Sequence, residues 1–542
     1  MTHRTHTRFY LWPKLWLFFC MALVLIPVLV ILLGFSEIDR EIWDFLWEFQ
    51  LPLLIKNTLF LMMAVGIGVV FLGTTTAWLT TMYDFVGRRV FFWAMMLPLA
   101  VPAYVLAFTQ LGMVDYAGSI NTFFRETYQI KQFIPDMRNG YFLSVVMSLT
   151  FYPYVYLLAR NAFMSMGSRS LEVGASLGLN PMQSFFKIAL PMARPWLVGG
   201  LILALMEVLA DFGAVSVFGF ETFSTAIYEA WFGFYSIETA KQLASLLIIF
   251  VFLLIALEQL SRGKRRFHTN KSTNYRQQLP KKYGILAFCY CGLILALAFI
   301  IPIIQLGVWA VRTWDQIANE QLVEQAMYSL LASGLSAVLI AFVAFLLALS
   351  KRMDNSVFAL IASRIATLGY GIPSSVLAVG VFVPIAFIDN YLIDWLSPII
   401  SPDEPLTGVI KGTIVVVLTA YLIRFLALGL SSVEAGFERI RPSLTEACVS
   451  LGVTGFAMIW RVYLPLLKSS MGVAMLMVFV DVMKEMPMTL MTKPYDWQTL
   501  ATIIYAYTSE GRFDQASLPA LLIVFTGLIP VILFSKINDS NH

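Results

Sequence analysis

Apolar positions along the chain form long unbroken runs, unlike the alternation of a strand or the narrow stripe of a soluble helix. About 20 apolar residues in a helix cover the hydrocarbon core of a bilayer. Twelve runs reach that length: 12–34, 54–81, 90–112, 141–160, 195–215, 242–260, 284–311, 325–350, 357–387, 407–430, 470–490 and 515–535. Pro373 interrupts the ninth run, so its helix should be kinked or split. The pattern predicts an all-α polytopic membrane protein with 12 transmembrane helices in a lipid bilayer.

The amino-acid composition supports this class of protein and excludes several others. Of the 542 residues, 59% are hydrophobic and 13% are charged, whereas soluble domains carry about 25% charged residues. A water-soluble enzyme is therefore excluded, and 43 Phe and 13 Trp exclude a disordered chain. The four histidines lie outside the apolar runs, which excludes an imidazole metal site inside the membrane. The four cysteines form no CxxC, so neither a disulfide framework nor a zinc site is indicated.

Charges in the connections alternate from one side of the membrane to the other. Acidic residues follow the first run, whereas residues 261–283 contain eight Lys or Arg and no acid. By the positive-inside rule, both termini and every connection from an even to an odd run are cytoplasmic. We interpret the basic residues as topology signals rather than as a nucleic-acid-binding surface.

The two halves of the chain resemble each other. Because each half has six runs, both face the same way and should be related by a pseudo-twofold axis along the membrane normal. We therefore expect a first unit at 1–262, a basic cytoplasmic linker at 263–282 and a second unit at 283–542. The matching pairs are 101–107 with 372–378, 176–178 with 450–452, 190–191 with 464–465, and 227–228 with 504–505.

Two connections, 171–191 and 445–465, share a spacing of Glu, Gly and Leu-Pro. Glu172 and Glu446 are each followed six residues later by a glycine, Gly178 or Gly452. Glycine takes the left-handed conformation that ends a helix, so each connection should be a short helix, a bend and a second helix. One such loop could be an ordinary amphipathic connector, but two with the same spacing favour a shared function.

This spacing resembles the EAA loop of ABC importer permeases, and the resemblance extends over both halves. It implies a type I importer permease of two tandem six-helix units in the bacterial inner membrane. In that family the first helix of the loop docks on an ATP-hydrolysing subunit. By resemblance, Glu172 and Glu446 meet a basic residue there, and Gly178 and Gly452 supply the bend. The sequence departs from the pattern at its alanines, which are replaced at 173–174 and 448.

The resemblance also implies partners: two copies of a nucleotide-binding ATPase subunit and a periplasmic substrate-binding protein. The chain has no Gly-x-x-x-x-Gly-Lys-[Ser/Thr] phosphate loop. We therefore expect a transport subunit that is not an enzyme and binds no cofactor, with ATP used by the partner. An alternative is a solitary secondary transporter, because residues 84–89 partly match the loop signature of major facilitators.

Acidic residues lie at membrane depth near the ends of runs 5 and 11. Glu207 and Asp211 match Asp481 and Glu485, and each pair has the i, i+4 spacing of one helical face. One interpretation is a helix end at the surface, with Lys484 neutralising its neighbours. The other is a pathway that favours a cation, with the phenol oxygens of Tyr228 and Tyr505 as further candidate ligands.

The substrate is predicted from three segments, 210–216, 231–235 and 484–490, which resemble sequences of ferric-iron importer permeases. The fused two-unit arrangement also resembles thiamine permeases, and carboxylates would suit the cationic thiazolium as well as a hard trivalent cation. The expected function is a permease for ferric iron delivered by a periplasmic binding protein, with thiamine or another small substrate as the alternative.

Overall fold

Helices account for nearly all the structure. The computed structural model describes residues 11–36, 40–166, 174, 176–261, 276–354, 356–400 and 408–539. Within these ranges the only strands are Tyr83–Asp84 and Gln277–Gln278, which pair in parallel. The prediction of an all-α protein is confirmed.

Ten helices in the described part of the chain are long and apolar enough to cross a membrane. A bent pair, Arg88–Ala100 with Ala103–Tyr128, makes eleven if it counts as one span, and its two parts differ in direction by 94°. Two further apolar helices, Val357–Gly371 and Ser517–Pro530, are shorter. The chain is therefore a multi-pass membrane protein, and the count of 12 spans stays a prediction.

Both halves break a span at the same place in the repeat. The 3₁₀ turns Leu97–Ala100 and Leu368–Gly371 each lead to an extended residue and then to proline, Pro102 or Pro373. A residue before proline is disfavoured in the helical region, so the chain changes direction there. The predicted interruption at Pro373 is observed. The equivalent break at Pro102 is not evident from hydropathy, which carries no information on backbone direction.

One compact unit contains residues Met1–Asp39, Ile227–Ser245 and Glu320–Thr502. The helices Glu320–Met353, Ile414–Glu438 and Leu464–Met483 pack against one another at its centre. Gly436 permits one of these contacts, because a Cβ atom there would lie 2.4 Å from Ser470 Oγ. The remaining helices are Leu11–Leu32, Val357–Ala366, Ser374–Ile400, Pro442–Ser450, Phe456–Met458 and Pro487–Thr492, with a 3₁₀ turn at Gly34–Ser36 and a π turn at Ile459–Tyr463.

The other unit contains residues Arg40–Ala226, Leu246–Asn319 and Ile503–His542. Its most extensive helix–helix packing joins Leu51–Met82 to Gly140–Met166. The two helices approach closely at Gly73, where a Cβ atom would lie 2.7 Å from Val155 Cβ. The remaining helices are Arg40–Phe45, Arg88–Ala94, Ala103–Val114, Ser119–Tyr128, Pro181–Ser184, Leu190–Ala210, Gly213–Val217, Lys281–Leu295, Ile301–Arg312, Trp314–Ile317 and Ser517–Asp539. The π turns are Leu46–Gln50, Phe185–Ala189 and Ala296–Ile300.

The compact units and the sequence repeats divide the chain differently. Each compact unit takes segments from both halves. Three of the unit boundaries fall inside helices, namely Phe223–Phe232, Ile237–Ser261 and Leu500–Ser509. The predicted boundaries at 1–262 and 283–542 describe the repeat and stay a prediction. Of the predicted linker 263–282, the structure describes residues from 276 onward.

Candidate functional site

The second Glu–Gly–Leu-Pro loop contains a short exposed helix, Pro442–Ser450, that carries Glu446 on its surface. Gly452 ends this helix at φ +76°, and the N–H of Val453 donates back to the carbonyl of Cys448 at 2.9 Å. This is the Schellman arrangement, which satisfies carbonyls at a helix end. The predicted bend at Gly452 is therefore present.

The first loop ends its helix in the same way. Gly178 has φ +71°, and the N–H of Leu179 donates to the carbonyl of Gly174 at 2.9 Å. Among the described residues, and apart from each glycine's own chain neighbours, no atom lies within 4 Å of the place a Cβ atom would take at Gly178 or Gly452. Glycine is therefore favoured there by its backbone conformation rather than by lack of space. Glu172 lies outside the described residues.

The next helix of the first loop begins with a reciprocal cap. The N–H of Gln183 donates to Asn180 Oδ1 at 2.8 Å, and the N–H of Asn180 donates to Gln183 Oε1 at 3.1 Å. These bonds satisfy donors that a helix start leaves open. The asparagine therefore fixes the start of the second helix directly after the bend.

Packing explains one departure from the alanines of the EAA pattern. A Cβ atom on Gly174 would lie 2.0 Å from Ser184 Oγ and 2.8 Å from Ser184 Cβ, and this serine is buried. In the second loop the equivalent positions hold Cys448, which is half-buried, and Met458, which is buried. In the first loop the residue two after the glutamate thus faces the second helix, and a side chain there would overlap Ser184.

The Leu-Pro pair at the end of each loop follows a π turn. The N–H of Leu190 bonds to the carbonyl of Phe185, and the N–H of Leu464 bonds to that of Ile459, each five residues earlier. Proline has no N–H, and its ring clashes with the carbonyl four residues before it, so a wider turn is favoured. The Leu-Pro pair therefore marks the place where each helix widens into a π turn, which its spacing in the sequence alone does not reveal.

Side chains from neighbouring helices hold the second loop. Thr445 and Tyr463 share a hydroxyl hydrogen bond of 3.1 Å. Arg352 donates to the carbonyls of Phe437 at 2.8 Å and Ile440 at 2.9 Å, close to the end of the helix Ile414–Glu438. Cations near a helix C-terminus satisfy its last carbonyls. Arg352 is a further residue of this site that sequence reasoning did not identify, although it stands in the last turn of Glu320–Met353.

The acidic pairs do not lie along one helical face, which corrects the prediction from their spacing. The helix that carries Glu207 ends at Ala210, and the helix that carries Asp481 ends at Met483. Asp211 and Glu485 therefore follow the helix ends. Each accepts the N–H three residues later, Ala214 at 2.8 Å or Met488 at 3.2 Å. Both carboxylates thus start the next short helix, and this local preference outweighs helix continuation.

The two halves differ in how these acids are neutralised. Arg424 Nε lies 3.5 Å from Glu485 Oε2, where the glutamate is buried and the arginine side chain is 11% exposed. Lys484 Nζ lies 2.7 Å from Asp481 Oδ1. Within the described ranges, no lysine or arginine comes within 4 Å of the half-buried Asp211 carboxylate. The first half therefore contains an acid without a neighbouring cation, at the position where the second half has an ion pair.

The predicted tyrosines lie in different surroundings. The ring of Tyr505 packs 5.4 Å from that of Phe212, the neighbour of Asp211 in the chain. The ring of Tyr228 packs 4.9 Å from that of Phe232. Tyr505 is thus close to the first acidic segment. In the described part of the chain, no group of three or more His, Cys, Asp or Glu side chains is arranged to hold a metal ion.

Multiple apolar helices, a repeated broken span and two matching helix–glycine–helix loops define a membrane transport subunit. Residues 69–260 match the family described as the binding-protein-dependent transport system inner membrane component. A further relative is the sulfate transport system permease protein CysT of Salmonella typhimurium, which is 30% identical over 203 residues, 37% of this chain and 70% of that protein. The chain belongs to this family of permeases, and it is a transport subunit rather than an enzyme.

Relatives named for iron match almost the whole chain. The Fe(3+)-transport system permease protein FbpB 2 of Haemophilus influenzae is 27% identical over 539 residues, 97% of this chain and 98% of that protein. The ferric transport system permease protein FbpB of Actinobacillus pleuropneumoniae is 24% identical over 511 residues, 89% of this chain and 70% of that protein. A bacterial alginate ABC transporter, solved with its alginate pentasaccharide-bound periplasmic protein, matches with a TM-score of 0.36 and 18% identity, covering 47% of this chain and 93% of that chain.

Proposed function

We propose that this chain forms the translocation pathway of an ATP-driven importer for ferric iron, which a periplasmic binding protein delivers. The observation that carries the proposal is the relative named for Fe(3+) transport, which matches 97% of the chain and therefore both halves. The sulfate permease matches 37%. The paired acids at the ends of two repeated helices suit a hard cation better than an anion.

In this proposal each loop receives one copy of a separate ATPase subunit, with both loops and both termini in the cytoplasm. Glu172 and Glu446 contact a basic residue of the ATPase, and Gly178 and Gly452 set the angle between the two helices of each loop. The exposed position of Glu446 and the equal backbone geometry at both glycines support this role. ATP is bound by the partner, and this chain holds no cofactor.

Asp211 is the carboxylate that we assign to transient contact with the cation. Its Oδ1 atom accepts two N–H groups, from Ala214 and Val215, which fixes the side chain at the start of a short helix. Glu485 is held by Arg424 and has a structural role. A pathway acid must bind weakly enough to release its cargo, and a single carboxylate meets that requirement better than a closed set of ligands.

Growth on a defined iron source tests the substrate. In a strain lacking other iron routes, deletion of the gene should abolish growth on ferric iron delivered by the cognate binding protein and leave thiamine uptake intact. Restoration by the wild-type chain is the control. Loss of thiamine uptake with iron-dependent growth unchanged would refute the iron assignment, although the chain would remain an importer permease.

A further inference from the structure

An apolar groove of about 1570 Å³ runs along the outside of the unit that contains residues 40–226. Its walls come from the helices Leu51–Met82, Leu190–Ala210 and Lys281–Leu295. Several of its lining side chains are more than half exposed, including Met63, Ile67 and Phe71. An exposed apolar surface of this size in a membrane protein is a surface for lipid chains or for another apolar partner.

The chain closes one end of this groove. Gln277–Gln278 pair with Tyr83–Asp84, and the N–H of Leu279 donates to the carbonyl of Asp84 at 3.2 Å. Gln277, Gln278, Leu279 and Pro280 all line the groove. The end of the basic linker is thus fixed against the end of Leu51–Met82, and we call this the linker end of the groove.

Positive charge is concentrated at the linker end. Lys281 and Lys282 are exposed in the first turn of a 15-residue helix whose N-cap, Pro280, provides no side-chain cap. Lysines at a helix N-terminus are opposed by the helix dipole, and an anion there would interact favourably with both lysines and the open N–H groups. Asp84 lies 3.5 Å from Arg88, and in the described part of the chain neither lysine has a carboxylate within 4 Å.

The same helix joins the charged end to the apolar wall. Tyr283, Leu286, Ala287 and Tyr290 line the groove directly after the two lysines. A phosphate group at the helix start would therefore leave attached hydrocarbon chains lying along the groove. This order of charge and apolar surface matches the order of head group and chains in a phospholipid.

We propose that the groove binds an anionic phospholipid, with its phosphate at Lys281 and Lys282 and its acyl chains along Ile67 and Phe71. A zwitterionic lipid would fill the apolar part but would gain less from the two lysines, since basic residues near a membrane favour anionic head groups. Met182 and Phe186 of the first loop also line the groove, so the bound lipid contacts that loop.

Native mass spectrometry of the purified full chain, with phosphatidylglycerol or phosphatidylcholine added, tests the proposal. The wild-type chain should retain phosphatidylglycerol preferentially, and the Lys281→Gln, Lys282→Gln variant should retain about tenfold less. The matched control is Arg461→Gln, Lys468→Gln, which removes two exposed cations from the other unit and should retain the lipid.

A second variant keeps the charge and fills the groove. A Cβ atom on Gly66 would lie 3.4 Å from Leu201 Cδ1 and 3.5 Å from Leu205 Cδ2. All three residues line the groove, so Gly66→Leu adds its bulk there against the ends of side chains rather than against backbone. It should lower phosphatidylglycerol retention as well. Equal retention by the wild type and both groove variants would overturn the proposal. Equal binding of phosphatidylcholine, or an equal loss in the control, would overturn the specific head-group site.

Discussion

The buried ion pair between Arg424 and Glu485 allows a quantitative test of the structure. Arg424 Nε lies 3.5 Å from Glu485 Oε2, and the two side chains are 11% and 8% exposed. Arg424 also donates to the carbonyl of Ile372 at 2.8 Å, directly before the break at Pro373. The arginine therefore joins the start of one short helix to the end of a 3₁₀ turn.

Arg424→Met keeps most of the apolar stem but removes the charge. Glu485 would then be a buried carboxylate without its cation, and the loss of one partner from a buried pair costs about 3–5 kcal/mol. The double variant Arg424→Met, Glu485→Gln should be less destabilised than the single variant, because no buried charge remains. The glutamine can still accept the N–H of Met488.

Unfolding of the purified chain by SDS in mixed micelles, followed by tryptophan fluorescence, measures these differences. Lys484→Met is the matched control, since it breaks the more exposed pair with Asp481 and should cost less than about 1 kcal/mol. Two results would refute the reasoning: Arg424→Met no less stable than Lys484→Met, or a double variant less stable than Arg424→Met.

Four further predictions concern the loops and the acids. Gly174→Ala should destabilise the first loop by about 1–3 kcal/mol through overpacking, measured as faster limited proteolysis. Glu446→Ala should weaken ATPase binding by about 2–5 kcal/mol, measured by co-purification. Asp211→Asn retains an oxygen for the helix start but should lower iron uptake. Val449→Cys, in a chain without other cysteines, should react with an impermeant reagent only in inside-out vesicles.

Each of these has a control and a contrary result. Adding Ser184→Gly should rescue the alanine at 174, and no rescue would contradict the packing explanation. Glu438→Ala, on an exposed glutamate eight residues before Glu446, should leave ATPase binding unchanged. Glu221→Gln neutralises an exposed acid and should not affect uptake; equal loss in both variants would remove the special role of Asp211. Labelling of the Val449→Cys variant in intact cells would contradict the predicted cytoplasmic position of the second loop.

Hydropathy and motif spacing predicted the helical class, the bends at Gly178 and Gly452 and the interruption at Pro373, because these depend on local properties. A glycine at positive φ or a proline in a helix acts on its own backbone whatever surrounds it. The contact between Gly174 and Ser184 was not predictable from the pattern, since it depends on how closely two helices of one loop approach.

The acid pairs show a different limit of sequence reasoning. Their i, i+4 spacing correctly describes neighbours on a continuous helix, but it does not report where a helix ends. Asp211 and Glu485 lie past those ends, where a carboxylate satisfies open N–H groups. The partner of Glu485, Arg424, stands 61 residues earlier in the chain, and no local pattern links the two.

Repeated backbone geometry does not imply repeated chemistry in this protein. Asp211 and Glu485 accept the same type of hydrogen bond from residues three positions later. Arg424, however, lies 3.5 Å from Glu485, whereas among the described residues no lysine or arginine comes within 4 Å of the Asp211 carboxylate. A fixed guanidinium beside an acid opposes the approach of a trivalent cation, and Glu485 has such a neighbour whereas Asp211 does not. Contact with the cargo should therefore be one-sided, made by the half that lacks the arginine, while the other half uses its acid for stability.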